Sequence, residues 1–497
     1  MSAPFSQTIT PRDKKLLVVA LVLAAFLGAI EGTIVTLAIP TIVRDLAGFD
    51  LISLLFSVFL LTSALSTPVY GKVADQFGRK RALDIGIVVF LVGSVACALA
   101  QSMEMLIAAR ALQGIGAGAL FAIPIIIVGD VFELKQRSKV QGLLSGVWGV
   151  ASLVGPFAGG LIISMASWHW IFLINIPFGL LAMAMLKVAF HEERSKRTVY
   201  FDLRGVALLT IAMTAFLSIF IFTGEEGVAP VPVTIACLVA TAAFLVVFYH
   251  VERRARDPIV HFDLFTRSNI LVNAMSFLAT AALMGVDVYM PIYLQNVRGM
   301  DPTLAGLCIL PNPLAWSATA FVLGRVILRF GSRAVNLAGS VLTLLSLVLL
   351  IPFSQTAPLP YLLAVIGLQG VGFGMMITTQ TIIIQDSVGF EKRGGAVAVN
   401  TLLRTIGQTI GISIFGTLFN LSIIRGFLSG GITTFDLGNL YDMSVYGPEV
   451  TWDHIVEVLD GSMHVIFIAF MVIIAVSLLL ALFMPRFTPT DNKGSAD

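Results

Sequence analysis

A series of long apolar runs constrains the fold of this chain more than any other feature of the sequence. A helix needs about 20 apolar residues to cross the hydrocarbon core of a bilayer, and 57% of the 497 residues are hydrophobic while only 12% are charged. Backbone groups inside lipid are satisfied only in helices or closed barrels, and these runs lack the alternation of barrel strands. The sequence therefore predicts an all-α polytopic membrane protein.

Fourteen membrane spans follow from this rule. They are 16–40, 51–70, 83–101, 105–129, 140–163, 169–188, 203–223, 231–250, 269–293, 303–328, 334–353, 360–385, 395–423 and 463–484. The first run is too long for the apolar core of a cleaved signal peptide, so we expect it to remain as an anchor. Residues 1–15 and 485–497 are then cytoplasmic, and 424–462 is the longest outer loop.

The basic residues support placing both chain ends in the cytoplasm. With an even number of spans and the N-terminus inside, all but four of the 31 lysines and arginines fall on the inner side. The four exceptions are Arg44, Arg110, Arg298 and Arg425. Such a bias is typical of membrane proteins with this orientation.

Composition also excludes several classes of function. The 31 basic and 29 acidic residues nearly cancel, which argues against a nucleic-acid partner. Cys97, Cys237 and Cys308 lie inside apolar runs without metal-ligand spacing, so we interpret them as small core residues. The sequence contains no nucleotide-binding loop, catalytic-triad spacing or metal-ligand cluster, so we expect no enzyme activity, metal or cofactor.

The outer loop 424–462 is acidic and contains no lysine. We interpret it as a solvated cap over the last two helices. The alternative, attraction of cations, is weak at physiological salt because exposed charges are screened.

The sequence contains an internal repeat. LQGIGAG, at 112–118, returns as LQGVGFG at 368–374, an offset of 256 residues. GKVADQFGRK, at 71–80, aligns with GRVILRFGSR at 324–333, an offset of 253 residues. Two similar offsets in the same order predict two related halves.

The repeat divides the predicted spans into two six-helix bundles, 16–190 and 269–484, with 203–250 as an inserted helix pair. Transporters are commonly built from such repeats, and their cargo path lies between the halves. The second half lacks two charges of the first, since Leu328 and Ile366 stand at the positions of a loop aspartate and an intramembrane arginine. Charge chemistry is therefore concentrated in the first half.

The loop after the second span has the pattern G-x-x-x-D-x-x-G-R-K-R. Its residues are Gly71, Asp75, Gly78, Arg79, Lys80 and Arg81. Glycines suit the corners of a tight turn, and an aspartate there can pair with a helix N-terminus or an arginine across the gap. A positively charged anchor would explain the basic residues, but not the glycines and the aspartate at these spacings.

This loop resembles the signature loop of the major facilitator superfamily, and three other stretches agree. LIAARALQGIGAG resembles its arginine-plus-glycine motif, with Arg110 as the arginine, and GVASLVGPFAGG resembles the motif of its antiporters. EGTIVTLAIP resembles the first-helix signature of the fourteen-helix drug/proton antiporter branch, in which Glu31 replaces the usual aspartate and Thr36 the usual asparagine. The resemblance spans almost the whole chain and implies a major facilitator fold and multidrug efflux, although a fold alone implies only transport.

The antiporter-type motif is predicted to form a hinge. Its residues are Gly155, Pro156, Gly159 and Gly160. The glycines allow close helix packing, and the proline removes a donor and bends its helix. A role in packing alone remains open, because small residues at helical spacing are common in membrane bundles.

Three charged residues are predicted to share one depth in the membrane. Glu31 lies ~22 Å from the cytoplasmic start of its span, roughly 8 Å below the outer surface, and Arg110 lies about 8 Å below that surface. Asp287 lies on the order of 27 Å from the inner end of its span. Charges in lipid are costly and therefore usually functional. The alternatives are a fixed structural pair of Glu31 and Arg110, and an Asp287 that is merely solvated near the headgroups.

Together these features predict a proton-driven exporter that works by alternating access. We expect Glu31, Asp287 and Arg110 to couple protons, and cargo to contact Glu31, Asp287, Gln113, Tyr289 and Tyr293. An aromatic belt at the outer interface would explain the tyrosines equally well. The resemblance also implies a cytoplasmic latch, in which Asp130 pairs with Arg79.

Acidic residues in an apolar cavity predict lipophilic cations such as antiseptics and dyes as cargo, with neutral drugs also open. We expect a monomer in the cell membrane, with protons and membrane lipid as its other partners. Two alternatives remain: an uptake symporter for a small nutrient, against which the antiporter-type motif argues, and a membrane sensor or lipid-handling protein.

Overall fold

The computed structural model describes most of the chain. The described residues are 10–132, 134–190, 202–221, 230–255, 258, 260, 262, 265–352, 357–387, 393–432, 435–443 and 450–484. The predicted cytoplasmic tail 485–497 and most of the N-terminal segment 1–15 lie outside them.

Helices account for nearly all of the described residues, and no strand occurs among them. They are α1 Pro11–Leu46, α2 Ile52–Phe77, α3 Arg79–Ala98, α4 Met103–Val131, α5 Leu134–Met165, α6 His169–Leu173, α7 Asn175–Ala189, α8 Leu203–Ile221, α9 Val231–Glu252, α10 Arg267–Ile292, α11 Pro302–Ile309, α12 Pro311–Phe330, α13 Ser332–Leu350, α14 Leu359–Asp386, α15 Arg393–Ser429 and α16 Trp452–Leu482. A 3₁₀ turn, Phe49–Leu51, precedes α2, and a π-helical turn, Tyr293–Val297, follows α10.

The predicted spans all overlap helices, so the all-α membrane architecture is confirmed. Within the described residues, 11 helices are long and apolar enough to cross a bilayer. A twelfth span is formed if Pro302–Ala320 and Val322–Phe330, which meet at a bend of 57°, cross together. The total of fourteen and the cytoplasmic location of both ends stay predictions.

Contacts between Cα atoms group the chain into two compact units. The first contains Met1–Ile259, Asp287–Leu310 and Ile412–Met463, and the second contains Val260–Val286, Pro311–Gly411 and His464–Asp497. In the first unit, α4 packs against α2 and α3, and α1 packs against α5 and α7. In the second unit, α14 packs against α12 and α13. The division into two six-helix bundles and an inserted pair stays a prediction.

Glycines of the repeated motif bring α4 into backbone contact with its neighbours. A Cβ atom on Gly116 would lie 2.3 Å from the amide nitrogen of Phe90 on α3. A Cβ atom on Gly114 would lie 2.5 Å from the carbonyl oxygen of Phe59 on α2. Only glycine permits this approach, so the motif fixes α4 as the central helix of its group.

The second copy of the motif does the same in the second unit. A Cβ atom on Gly370 of α14 would lie 2.2 Å from the carbonyl oxygen of Asn312 on α12, and one on Gly372 would lie 2.7 Å from the amide nitrogen of Thr343 on α13. The repeat seen in the sequence is therefore also a repeat of helix packing.

The signature loop is shorter than the sequence suggested. Gly78, with φ +102°, ends α2 and precedes α3, as expected for a corner glycine. Gly71 instead lies inside α2, with nothing within 4 Å of the place a Cβ would take, so its expected position at a corner is wrong. The side chains of Asp75 and Asp130 lie outside the described part, and the latch between Asp130 and Arg79 stays a prediction.

The basic residues that end the two loop motifs bind the ends of other helices. Lys80 donates from Nζ to the carbonyl oxygens of Phe190 at 2.7 Å and Lys187 at 3.3 Å, at the end of α7. Arg333, at the equivalent position of the repeat, donates to the carbonyl oxygen of Leu482 at 2.6 Å, at the end of α16. A cation there satisfies helix carbonyls that lack partners and suits the helix dipole.

The predicted outer loop 424–462 differs from a solvated cap. α15 and α16 both extend into it, and Leu440 is fully buried. The carbonyl oxygen of Gly438 accepts hydrogen bonds from the amides of Gly48, at 2.8 Å, and Phe49, at 3.3 Å. Part of the loop thus packs on the segment that follows α1, because its backbone and apolar side chains find partners there.

Candidate functional site

The carboxylate of Glu31 is buried in the interior of the first unit. Glu31 lies on α1 and Arg110 on α4, and both are 0% exposed. The guanidinium of Arg110 contacts Oε1 of Glu31 as an ion pair, and Nδ2 of Asn175 donates to Oε2 at 2.8 Å. The common depth predicted for Glu31 and Arg110 thus corresponds to direct contact.

Two further side chains extend this contact into a hydrogen-bonded network. Nη1 of Arg110 also donates to Oε1 of Gln113 at 2.7 Å, and Nε2 of Gln113 donates to Oγ of Ser94 at 2.9 Å. Ser94 lies 3.3 Å from Nδ2 of Asn175. We call these five residues, Glu31, Ser94, Arg110, Gln113 and Asn175, the Glu31 cluster. They come from α1, α3, α4 and α7.

Aromatic rings enclose the guanidinium of Arg110. Its Cζ lies 4.0 Å from the ring centroid of Phe59 and 6.0 Å from that of Phe172, which suits a cation–π contact. Its Nε atom is buried without a hydrogen-bond partner among the described residues. The carboxylate of Glu31 is therefore the charge that compensates Arg110 in this apolar surrounding.

Close packing of α3 on α4 allows the network to form. A Cβ atom on Gly93 would lie 2.5 Å from the backbone of Gln113. The adjacent Ser94 can therefore reach the Gln113 amide. Gly93 therefore allows α3 to approach α4 closely, and Ser94 provides the hydroxyl that accepts a hydrogen bond from Gln113.

Asp287 lies on α10, in the helix that begins the second predicted half, as Glu31 lies on α1, which begins the first. The offset of 256 residues of the glycine motif would pair the two carboxylates, whereas the offset of 253 residues of the loop motif, which is nearer in the sequence, pairs Glu31 with Met284. The repeat therefore relates the two helices but does not pair the two carboxylates.

The two carboxylates differ in their surroundings. No described residue forms a hydrogen bond or ion pair with Asp287, which is partly exposed. The position equivalent to Arg110 is Ile366, which explains why a matching arginine is absent. The common depth predicted for Asp287, Glu31 and Arg110 therefore does not correspond to contact of Asp287 with the other two residues.

The tyrosines proposed to contact cargo are buried. Tyr289 is 1% exposed, and its ring packs edge-on against Phe419 with centroids 5.1 Å apart. Tyr293 is also buried. Nearby, Nε2 of Gln295 donates to the carbonyl oxygen of Leu37 at 3.0 Å. Their role in binding cargo stays a prediction.

Glycines of the antiporter-type motif bring α5 close to two other helices. A Cβ atom on Gly155 would lie 2.1 Å from Oγ1 of Thr33 on α1, and one on Gly160 would lie 2.6 Å from Cα of Thr303 on α11. A Cβ atom on Gly159 would lie 3.0 Å from Cγ1 of Ile34 on α1. Pro156 lies within α5, but its side chain is outside the described part.

No metal site is found, since no three His, Cys, Asp or Glu side chains of the described residues are grouped to hold an ion. Cys97 and Cys308 are buried free thiols and Cys237 is partly buried.

Comparison with known proteins gives consistent results. The family model described as Major Facilitator Superfamily matches residues 21–412. The chain is 27% identical over 513 residues to the multidrug transporter protein MdtP of Bacillus subtilis, covering 97% of this chain and 94% of that one. It is 32% identical over 405 residues to the multidrug efflux pump SdrM of Staphylococcus aureus, covering 81% and 89%.

Solved structures with similar folds include a bacterial homologue of the human lysosomal transporter Spinster, with TM-score 0.70, 15% identity and coverage of 97% of this chain and 100% of that one. A D-xylose–proton symporter has TM-score 0.63 and 14% identity, with coverage of 96% and 98%. At these identities the likeness concerns the fold alone.

Proposed function

This chain belongs to the major facilitator superfamily and is a multi-pass membrane protein of the cell membrane, and we propose that it exports lipophilic cationic drugs in exchange for protons. Relatives named for multidrug transport and efflux support a drug transporter. The observation that carries the proton-coupled mechanism is the buried contact of Glu31 with Arg110.

Protonation of Glu31 would change the energy of the whole cluster. A neutral carboxyl no longer compensates the buried guanidinium, and an uncompensated buried charge is strongly unfavourable. The ion pair links α1 to α4, and Asn175 links α1 to α7. Proton binding at one atom would therefore favour a different arrangement of these helices, which is the requirement for coupling.

We assign different roles to the two carboxylates Glu31 and Asp287. Glu31 has Arg110 as its counter-ion and takes the proton, whereas Asp287 has no described counter-ion and receives the positive charge of cargo. Gln113, Tyr289 and Tyr293 would contact cargo once the helices separate. Protons entering from outside then release cargo outward, and loss of the proton inside prepares the site for the next molecule.

Two further sets of residues would control the movement. The glycine contacts of α5 with α1 and α11 support a hinge at Gly155, Pro156, Gly159 and Gly160. The latch is assigned to Gly71, Asp75, Gly78, Arg79, Lys80, Arg81 and Asp130.

We propose that the protein works as a monomer.

Transport into everted membrane vesicles tests this function. With an acidic interior, vesicles should accumulate a fluorescent lipophilic cation, and an uncoupler should abolish the accumulation. Asp287→Asn should lower uptake of the cation but spare a neutral drug, and Asp287→Glu should retain both. Uncoupler-sensitive accumulation by intact cells would favour an uptake symporter instead. Absence of gradient-coupled flux for every compound would favour a sensor or lipid-handling protein.

A further inference from the structure

Asn175 contacts Glu31 through an amide group, which has both a hydrogen-bond donor and an acceptor. We infer that Asn175 is a positioning residue that holds Glu31 in both of its protonation states, donating to the carboxylate and, after rotation of its amide, accepting from the carboxylic acid. The inference rests on the proposed function, in which Glu31 gains and loses a proton. Asn175 is 1% exposed and contacts Oε2 of Glu31 at 2.8 Å.

Hydrogen-bond chemistry separates Asn175 from Arg110. The neighbouring amide of Gln113 is already engaged, because its Oε1 accepts from Arg110 and its Nε2 donates to Ser94. A carboxylate only accepts hydrogen bonds, whereas a carboxylic acid must also donate one. Arg110 has donors only, so it can bind the anion but cannot accept the proton of the acid. An asparagine amide has both a donor group and an acceptor oxygen. Asn175 can therefore remain bonded when the ion pair breaks.

Ser94 provides the second contact that this rotation requires. Its Oγ lies 3.3 Å from Nδ2 of Asn175 and accepts a hydrogen bond from Gln113 at 2.9 Å. A hydroxyl can donate as well as accept. Ser94 can therefore bond to either end of the Asn175 amide, and the amide keeps two partners in both orientations.

Few other groups can influence the protonation of Glu31. Arg110 faces it from α4, and the thiol of Cys97 lies nearby on α3, with Sγ 3.7 Å from Oε1 of Gln113. The described residues of α2, α5, α6, α7 and α11 add no charged or titratable group at this point. The response of this cluster to pH therefore depends on Glu31, Arg110 and the hydrogen bonds between them and their neighbours.

Removal of Asn175 should shift the protonation of Glu31 in a known direction. Hydrogen bonds to a charged acceptor are roughly twice as strong as neutral ones. Loss of the Asn175 amide therefore destabilises the carboxylate form of Glu31 more than its acid form, so Glu31 should keep its proton to a higher pH. We expect the midpoint of protonation to rise by about 1 pH unit, a tenfold change in proton affinity.

Infrared titration of the purified protein in lipid measures this midpoint directly. The C=O stretch of a protonated carboxyl group is followed against pH, and the band that disappears in Glu31→Gln is assigned to Glu31. Asn175→Leu and the smaller Asn175→Ala should both move its midpoint upward. The matched control is Asn420→Leu, which removes another buried asparagine of the same compact unit, one that donates to the carbonyl oxygen of Asp50 at 3.1 Å. That variant should leave the midpoint unchanged.

The outcomes separate this inference from the proposed function. If the band is assigned to Glu31 but both Asn175 variants leave its midpoint unchanged, Asn175 has a packing role only and the inference is overturned. If Glu31→Gln removes no titrating band, the proposed proton site is wrong instead. Should Asn175→Leu fail to fold, Asn175→Ala decides, because it removes the amide without adding bulk.

Discussion

At the scale of single residues, the central feature is a fully buried charge pair. Glu31 and Arg110 compensate each other, and the side-chain amides of Gln113 and Asn175 form a further hydrogen bond to each of them. Such a pair contributes little net stability compared with an apolar core, but the loss of one partner is costly. The cost of losing one charge of the pair is the free energy that can couple protonation of Glu31 to movement of the helices.

The asymmetry gives a prediction for stability. Arg110→Met should destabilise the protein by about 3–5 kcal/mol, because the Glu31 carboxylate is left buried without its counter-ion. Glu31→Gln combined with Arg110→Met should recover a large part of that loss, since no buried charge remains. Thermal unfolding of the purified variants measures both effects. A double variant less stable than Arg110→Met alone would contradict the charge-pair explanation.

The sequence predicted the charged residues of this site and, as a cargo contact, Gln113. The helix rise of 1.5 Å per residue converts position along a span into depth, which placed Glu31 and Arg110 at the same level. Depth does not give the rotation of a helix about its axis, so it could not show that Arg110 contacts Glu31 whereas Asp287 contacts neither of them. Asn175 and Ser94 were missed because a neutral polar residue in an apolar run gives no electrostatic signal.

At the scale of helices, α4 is positioned by glycines rather than by large side chains. Gly116 meets the backbone of α3, which cannot move aside as a flexible side chain can. Gln113 and Arg110 lie on the same helix, about one and two turns from Gly116, so the position of α4 sets the geometry of the Glu31 cluster.

The close packing of α4 on α3 at Gly116 predicts that one added methyl group there lowers both stability and export. Gly116→Ala should push α4 away from α3, destabilise the protein by about 1–3 kcal/mol and reduce drug export by disturbing the Glu31 cluster. The matched control is Gly461→Ala on α16, where nothing lies within 4 Å of the added methyl. Thermal unfolding and vesicle transport are the measurements. Equal stability and export in the two variants would show that backbone contact at Gly116 is not required.

Helices were easier to predict than their ends. Hydropathy identified each run because lipid leaves few alternatives to a helix. It did not indicate that α2 continues past Gly71 or that α15 and α16 extend into the predicted outer loop. Those boundaries depend on tertiary contacts, such as the hydrogen bonds to Gly438, which local composition does not encode.

At the scale of the whole molecule, the first compact unit contains contacts between parts of the two predicted halves. Oγ of Ser57 on α2 lies 2.8 Å from Oγ of Ser413 on α15, and both are buried. Alternating access requires such contacts to break and re-form during each cycle.

A disulfide at this contact should therefore stop transport. Ser57→Cys with Ser413→Cys, in a chain whose three native cysteines are replaced, should form a bond on oxidation because the side chains already meet. We expect export to fall at least about tenfold and to recover on reduction. Each single cysteine variant serves as a control and should transport normally. Full export by fully cross-linked protein would contradict a mechanism that separates α2 from α15.

The internal repeat was the most informative whole-chain signal in the sequence. It predicted two related halves, and the glycine contacts of α4 and α14 repeat as expected. The number of spans is less certain from hydropathy, since α8 is short and the span at Pro302–Phe330 is bent.

The central claim is that Glu31 exchanges a proton for each movement of cargo, and proton flux in proteoliposomes tests it most directly. An imposed gradient of a lipophilic cation should drive protons in the opposite direction, reported by a pH-sensitive dye inside the vesicles. We predict that Glu31→Gln still exchanges labelled for unlabelled drug but moves no protons. Drug-driven proton flux in Glu31→Gln equal to that of the unmodified protein would contradict the account.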